Sequence, residues 1–209
     1  MLLDIHTHYA APIAGESILN VEPAAFCPIE GNYYSVGIHP WRVGGRWEEE
    51  WELLRKAVTH PAVLAIGEAG LDKMTSTNPM LQKEVFERQI LLAEEIGKPL
   101  VIHCVKAFNE LVELKRKFRP SMPWVVHGFR NNVNIARMLL REDIRLSIGE
   151  KYQLPVLQEI PLECLLTETD EIRMPVRDII KGIAEVRRVT VEELSMQIAE
   201  NAGKIFFRR

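Results

Sequence analysis

The chain has 209 residues, 47% of them hydrophobic and 26% charged, with 29 acidic against 26 basic side chains and a net charge of −3. That size suits one large domain with a sizeable core, and the balance of apolar and charged residues excludes disorder. The weak negative charge excludes a protein that coats polyanions generally, but not an enzyme that grips one phosphodiester.

The amino end, MLLDIHTHYA, lacks the basic stretch and long apolar run of a signal peptide. No run approaches the roughly 18 apolar residues that span a membrane. Cys27, Cys104 and Cys164 are odd in number and widely spaced, which reads as reduced thiols in the cytoplasm rather than a disulfide framework. No repeat or linker divides residues 1–209.

In chain order, short apolar runs predict strands at Leu2–Ile5, Ser17–Val21, Tyr33–Ile38, Val63–Ile66, Leu100–Ile102, Trp124–Val126, Ile144–Ile148 and Cys164–Leu166. Amphipathic stretches between them predict helices over Trp47–Thr59, Met80–Ile96 with Gly97 as its C-cap, Phe108–Phe118, Asn131–Arg141 and Pro175–Val186. A last helix over Thr190–Ala199 opens on the capping box Thr190-x-x-Glu193. Strands alternating with helices imply a parallel sheet. The expected fold class is α/β, a TIM-type (β/α)₈ barrel. Such barrels usually have about 250 residues, so this one is abbreviated and irregular. Residues 9–32 and the stretch between Ile148 and Cys164 are the expected places.

Polar residues follow the apolar runs in a pattern. Asp4-Ile-His6-Thr-His8 follows the first, Glu68 the fourth, His103 the fifth, His127 the sixth and Asp170 the last. Strand ends of a parallel barrel converge at one mouth, where active sites of this fold are built. His6 and His8 are two apart, so in extended chain both imidazoles face one side and can chelate one ion. Four imidazoles and two carboxylates exceed the needs of a single catalytic zinc. Divided between two ions about 3.5–4 Å apart, with a carboxylate bridge, they form a dinuclear centre.

The motifs DIHTH, GIHPW, GEAGLD, LQKEVFERQI, IHC, VHGF, TETD and ENAGKIF resemble those of the TatD family, in the same order and across nearly the whole chain. That family comprises metal-dependent (β/α)₈ hydrolases with deoxyribonuclease activity. The resemblance implies His6, His8, Glu68 and Asp170 around one metal, and Glu68 bridging to a second held by His103 and His127. Asp170 would double as general base, so Asp170 and Glu68 are the catalytic candidates. His39 and Asp72 match positions near the metals.

The chain departs from the pattern at His103-Cys104-Val105, where the family has an arginine two residues after the histidine, and at His127-Gly128-Phe129, where it has HCF. A basic loop after the final aspartate is also missing. Arg130 is the candidate replacement cation, with Lys106 and Arg173 behind it. Trp41 is expected either to line the mouth and stack on a base or ring or to be a packed loop anchor, and His60 is expected at the opposite face. Cys104 should point away from the mouth, and Lys115-Arg116-Lys117 with Arg119 should form a solvated helix end.

The expected cofactors are one or two divalent ions: zinc, manganese and nickel suit histidine ligands better than magnesium. The expected partner is DNA or a short oligonucleotide, with no membrane and no obligate protein partner. Hydrolysis of a small-molecule ester, amide or lactone, such as an aminoacyl ester, is the alternative. A metal-binding protein without enzymatic activity is the second.

Overall fold

A computed structural model describes residues 1–207. Its eight strands are β1 (Asp4–Thr7), β2 (Ser17–Val21), β3 (Tyr33–Val36), β4 (Val63–Asp72), β5 (Leu100–Val105), β6 (Trp124–Val126), β7 (Ile144–Ile148) and β8 (Leu165–Thr167). They run in sheet order β1 to β8, and every neighbouring pair is parallel. Just past the strands, Asp170 N donates to His6 O at 3.0 Å and His8 N donates to Asp170 O at 2.9 Å. This bridge between Thr7 and Asp170 joins the last strand to the first. The expected barrel is the fold observed, and its seam lies at three of the candidate site residues, His6, His8 and Asp170.

The helices are α1 (Trp47–Ala57), α2 (Pro79–Ile96), α3 (Phe108–Phe118), α4 (Val133–Arg141), α5 (Leu154–Glu159), α6 (Val176–Arg187) and α7 (Val191–Phe206). Abbreviation falls where proline and turn residues predict it. No α-helix joins β1 to β2, only a 3-10 turn at Pro23–Ala25 joins β2 to β3, and α5 has 6 residues.

Val101 and His103 are two apart within β5 and share one face of that strand, while His127 and Asp170 lie just past β6 and β8, beyond Val125 and Leu166. The apolar members, with Ala65, Ile5 and Ile18, form an inner cluster closed from below by Ala202, Ile205 and Phe206 of α7. A larger cluster, including Trp124, Phe86 and Leu139, packs between the sheet and the helices. The polar members stand on this apolar base.

Several boundaries differ from the sequence expectation. β1 begins at Asp4, so His6 lies inside the strand. β3 stops at Val36, and β8 starts at Leu165 because Cys164 belongs to a preceding 3-10 turn. β5 runs on through His103 to Val105, and β4 runs on through Glu68 to Asp72. Gly67 and Gly70 suggest a break to any propensity argument, yet Ala69, Gly70, Leu71 and Asp72 pair with Ile102, His103, Cys104 and Val105. Gly70 allows this close approach: a Cβ there would lie 2.0 Å from His103 O, and its φ is +147°.

Capping chemistry places the helix starts. Asn78 accepts from Met80 N and Leu81 N, Asn132 from Ile135 N, and the Thr190–Glu193 box is formed in both directions. Gly97 caps α2 in the left-handed conformation. α7 continues past Ala199 to Phe206 because its last turns are buried under the barrel.

Candidate active site

All six candidate ligands reach one place at the C-terminal mouth. His6 Nε2 lies 3.5 Å from Glu68 Oε2 and 3.6 Å from Asp170 Oδ1. His8 Nε2 lies 3.6 Å and 3.7 Å from the same two oxygens. These separations are too long for hydrogen bonds. Donor atoms about 2.0–2.2 Å from a shared ion lie roughly 3.3–3.6 Å apart in a tetrahedron, which is close to this spacing. The His6 side chain is fully buried, and neither ring nitrogen has a hydrogen-bond partner among the described residues. An orphaned imidazole nitrogen facing two carboxylates fits a metal ligand, and so does the nitrogen and oxygen donor set.

The other half of the site is arranged differently. Glu68 Oε1 is 2.7 Å from His103 Nδ1, 2.7 Å from His127 Nε2 and 3.1 Å from His39 Nε2. These are hydrogen-bond distances, so three imidazoles converge on one carboxylate oxygen. Three groups have donor atoms close enough to share an ion: His6–His8–Glu68, His6–His127–Asp170 and His39–Glu68–His103. His39, expected near the metals, is thus itself within ligand reach, and Glu68 takes part in two of the groups.

The charges follow from these contacts. Burial works to raise the Glu68 carboxyl, but His127, His103 and His39 outweigh it and hold it well below the usual carboxylate range. Burial opposes charge on His127, yet Glu68 and Glu168 outweigh it and push the imidazole well above its ordinary value. Burial also works to raise Asp170, and His6 and His127 outweigh it, so this carboxyl is held low. Burial wins at His39, whose imidazole is lowered despite Glu68. Protons and a metal ion compete for these nitrogens and oxygens.

The surrounding residues hold the candidate ligands in place. Asp72 lies between two groups: its Oδ2 is 3.1 Å from His103 Nε2 and accepts from Trp41 Nε1 at 2.6 Å. Gln82 of α2 holds the backbone of Asp72 through both its amide nitrogen and its carbonyl oxygen. Arg130, 53% exposed at its side chain, lies 3.4 Å from Asp170 Oδ2. Lys106 lines an adjoining cavity of about 300 Å³ that also reaches His103 and His127. Arg173 instead lies over the Tyr9 ring and lines a separate cavity beyond β1.

Two buried carboxylates were not singled out from sequence. Asp4 accepts from His6 N and from both Thr169 N and Thr169 Oγ1. Burial is the largest influence on its carboxyl, which is pushed up to about 7. Glu168, fully buried, accepts from Gly128 N at 2.5 Å, and its Oε1 lies 3.8 Å from His127 Nδ1. That gap is too long for a hydrogen bond, and His127 Nδ1 has no hydrogen-bond partner among the described residues, so Glu168 acts on the imidazole by charge. Their positions in DIHTH and TETD were the available signal, but spacing alone does not distinguish a support from a ligand.

Other expectations divide. Cys104 packs against the main core and burial pushes its thiol up to about 12, although it also edges the adjoining cavity. His60 lies between α1 and β4, at the opposite end of the barrel, where its Nδ1 accepts from Ala62 N. The basic run forms the solvated end of α3, as expected, with Lys115 half-buried. Arg116 pairs with Glu142, Lys117 with Glu87, and Lys115 Nζ lies 5.1 Å above the Trp124 ring.

The mouth opens as a cavity of about 500 Å³ lined by His8, His39, Trp41, Glu68, His103 and Asp170, among others. No helix among the described residues is long and apolar enough to cross a membrane.

The model of the family described as TatD related DNase matches residues 28–207. The metal-dependent hydrolase YabD of Bacillus subtilis is 32% identical over 196 residues, covering 83% of this chain and 77% of that protein. The human 3'-5' RNA nuclease TATDN2 is 32% identical over 199 residues, 81% of this chain and 26% of that protein. The crystal structure of YjjV, a TatD homologue from Escherichia coli K12, matches with a TM-score of 0.86. It covers 100% of this chain and 98% of that one at 20% identity, a likeness of fold.

Proposed function

This chain belongs to the TatD family of metal-dependent hydrolases, and we propose from that premise that it is a nuclease cleaving phosphodiester bonds. The observation that carries the reading is the set of donor atoms from His6, His8, Glu68 and Asp170, in which each imidazole Nε2 lies 3.5–3.7 Å from one oxygen of each carboxylate. These four residues would hold one divalent ion. His103 and His127, with Glu68 shared, would hold a second, and His39 is within reach of it. Zinc, manganese or nickel suits these donors better than magnesium.

When bound, divalent ions lower the pKa of a coordinated water toward about 7 and neutralise charge on a phosphoryl oxygen. The remaining steps fall to the protein. Asp170, kept ionised by His6 and His127, takes the proton of the attacking water on its carboxylate. Arg130 already reaches Asp170 Oδ2 at 3.4 Å, so its planar guanidinium can turn to a phosphate oxygen in the same mouth. The low-lying carboxyl of Glu68 keeps His103 and His127 oriented. The family description and the human relative both name nucleases, which supports nucleic acid as substrate. The three free cysteines fit a reducing, cytoplasmic compartment.

One observation favours a second reading. Both arginines lining the mouth are already paired, Arg42 with Glu22 and Glu50, and Arg130 with Asp170. A carboxylic ester or amide needs less cationic grip than a phosphodiester, and the same site would serve it. Hydrolysis of single-stranded DNA, RNA and aminoacyl esters, each assayed with manganese, zinc and magnesium, separates the two. Cleavage of oligonucleotides above the ester rate supports the nuclease reading, and ester hydrolysis alone overturns it.

A further inference from the structure

We infer that Trp41 is the stacking platform for an unpaired nucleobase of the substrate, a role that rests on the nuclease reading above. The indole is 63% exposed, whereas Trp47 and Trp124 are buried. What sets this exposed ring apart is its place on the cavity that holds the candidate ligands. The ring is nevertheless held in place. Its Nε1–H donates to Asp72 Oδ2 at 2.6 Å, and its backbone N donates to His39 Nδ1 at 3.1 Å. Asp72 is 3% exposed and is itself fixed by Met74 N and Gln82.

The orientation matters as much as the exposure. His39 meets the indole with ring centroids 5.0 Å apart and planes at 87°, and His103 meets it at 5.9 Å and 75°. Neither imidazole therefore stacks parallel on the indole. The indole lines the same cavity as His39, Glu68, His103 and His127. A rigid, exposed ring loses little conformational freedom when a flat ligand settles on it.

Every base offers a π-face, so such a platform tolerates sequence. A paired base inside a duplex already stacks on both sides, so the platform selects single-stranded ends. It also compensates for the scarcity of free cations noted above. With Arg42 held by two glutamates and Arg130 shared with Asp170, binding draws on stacking as well as on charge.

The experiment compares wild type, Trp41→Ala and Trp41→Phe on two single-stranded oligonucleotides that differ only in whether the terminal nucleotide carries its base or is abasic. In wild type the abasic end should raise KM about tenfold. In Trp41→Ala that preference should collapse to about onefold, and Trp41→Phe, which keeps a ring but not the N–H, should restore most of it. A second readout needs no turnover: a dinucleotide titrated into chelator-treated protein should quench tryptophan fluorescence in wild type but not in Trp41→Phe. If Trp41→Ala weakens both substrates equally and Trp41→Phe restores neither, the residue serves only to hold Asp72 and His103, and the inference is overturned. If wild type neither cleaves nor binds any oligonucleotide, the nuclease reading itself fails and takes this inference with it.

Discussion

His6 is fully buried with two ring nitrogens that find no hydrogen-bond partner among the described residues. Leaving a buried polar group unsatisfied costs roughly 1–3 kcal/mol, so the residue is maintained for something other than folding. Its place among Glu68, Asp170 and His8 fits the proposed metal binding. Asp170 is the more exposed carboxylate of the pair, and its backbone sits at φ 54°. Asparagine tolerates that conformation, which makes Asp170→Asn a clean probe of chemistry. The amide cannot take a proton from water, so turnover should fall by about 10²–10⁴-fold, read as kcat on the best oligonucleotide. A kcat within a few-fold of wild type would assign Asp170 to the barrel seam alone. At this scale the sequence was legible wherever a histidine or acid ended an apolar run. Asp4 and Glu168 were less so, because what marks them as supports is the backbone amides they face, from Thr169 and Gly128, and those come from contacts across the fold.

Elements were legible where side-chain pattern decides them and less so where backbone contact does. The capping residues of α2 and α7 and the continuous apolar strands fall where propensity puts them. β4 does not, because two glycines inside it serve close packing rather than a turn. Gly70→Ala should therefore destabilise the protein by roughly 2–4 kcal/mol, since its Cβ would collide with His103 O. Chemical denaturation checks this, and a loss under about 0.5 kcal/mol would show that β4 and β5 can separate freely there. Glu94 of α2 offers a pH test of the helix-to-loop joint. It accepts from Ser121 N, Ser121 Oγ and Met122 N. Burial works to raise its carboxyl, and these hydrogen bonds outweigh it and hold the folded value below the ordinary 4.5. The stability it contributes is thus present above the unfolded value and is lost as pH falls through the folded one. Glu94→Gln should cost about 1 kcal/mol at neutral pH, a modest figure because the group is partly solvated. The difference from wild type should shrink below about pH 4.5. A pH-independent difference would remove the charge from the account.

The whole molecule is a barrel trimmed at the connections between β1, β2 and β3 and between β7 and β8, and these lie around the mouth's seam. Closure runs through His6, His8 and Asp170 backbones, so the same residues that close the sheet carry three of the candidate ligands. That coupling explains why the site survives abbreviation of the surrounding loops. Length against the usual barrel size made the trimming legible in the sequence, and proline positions located it. The convergence of three imidazoles on one oxygen of Glu68 was not, since it depends on how β4 bends past β3 and β5. The central claim is that this mouth binds transition metal through side chains on several strands. Elemental analysis of protein reconstituted with manganese or zinc and freed of loose metal tests it most directly. Wild type should retain at least about one ion per chain, and His6→Ala combined with His8→Ala should lose it. Metal content unchanged in the double variant would contradict the assignment.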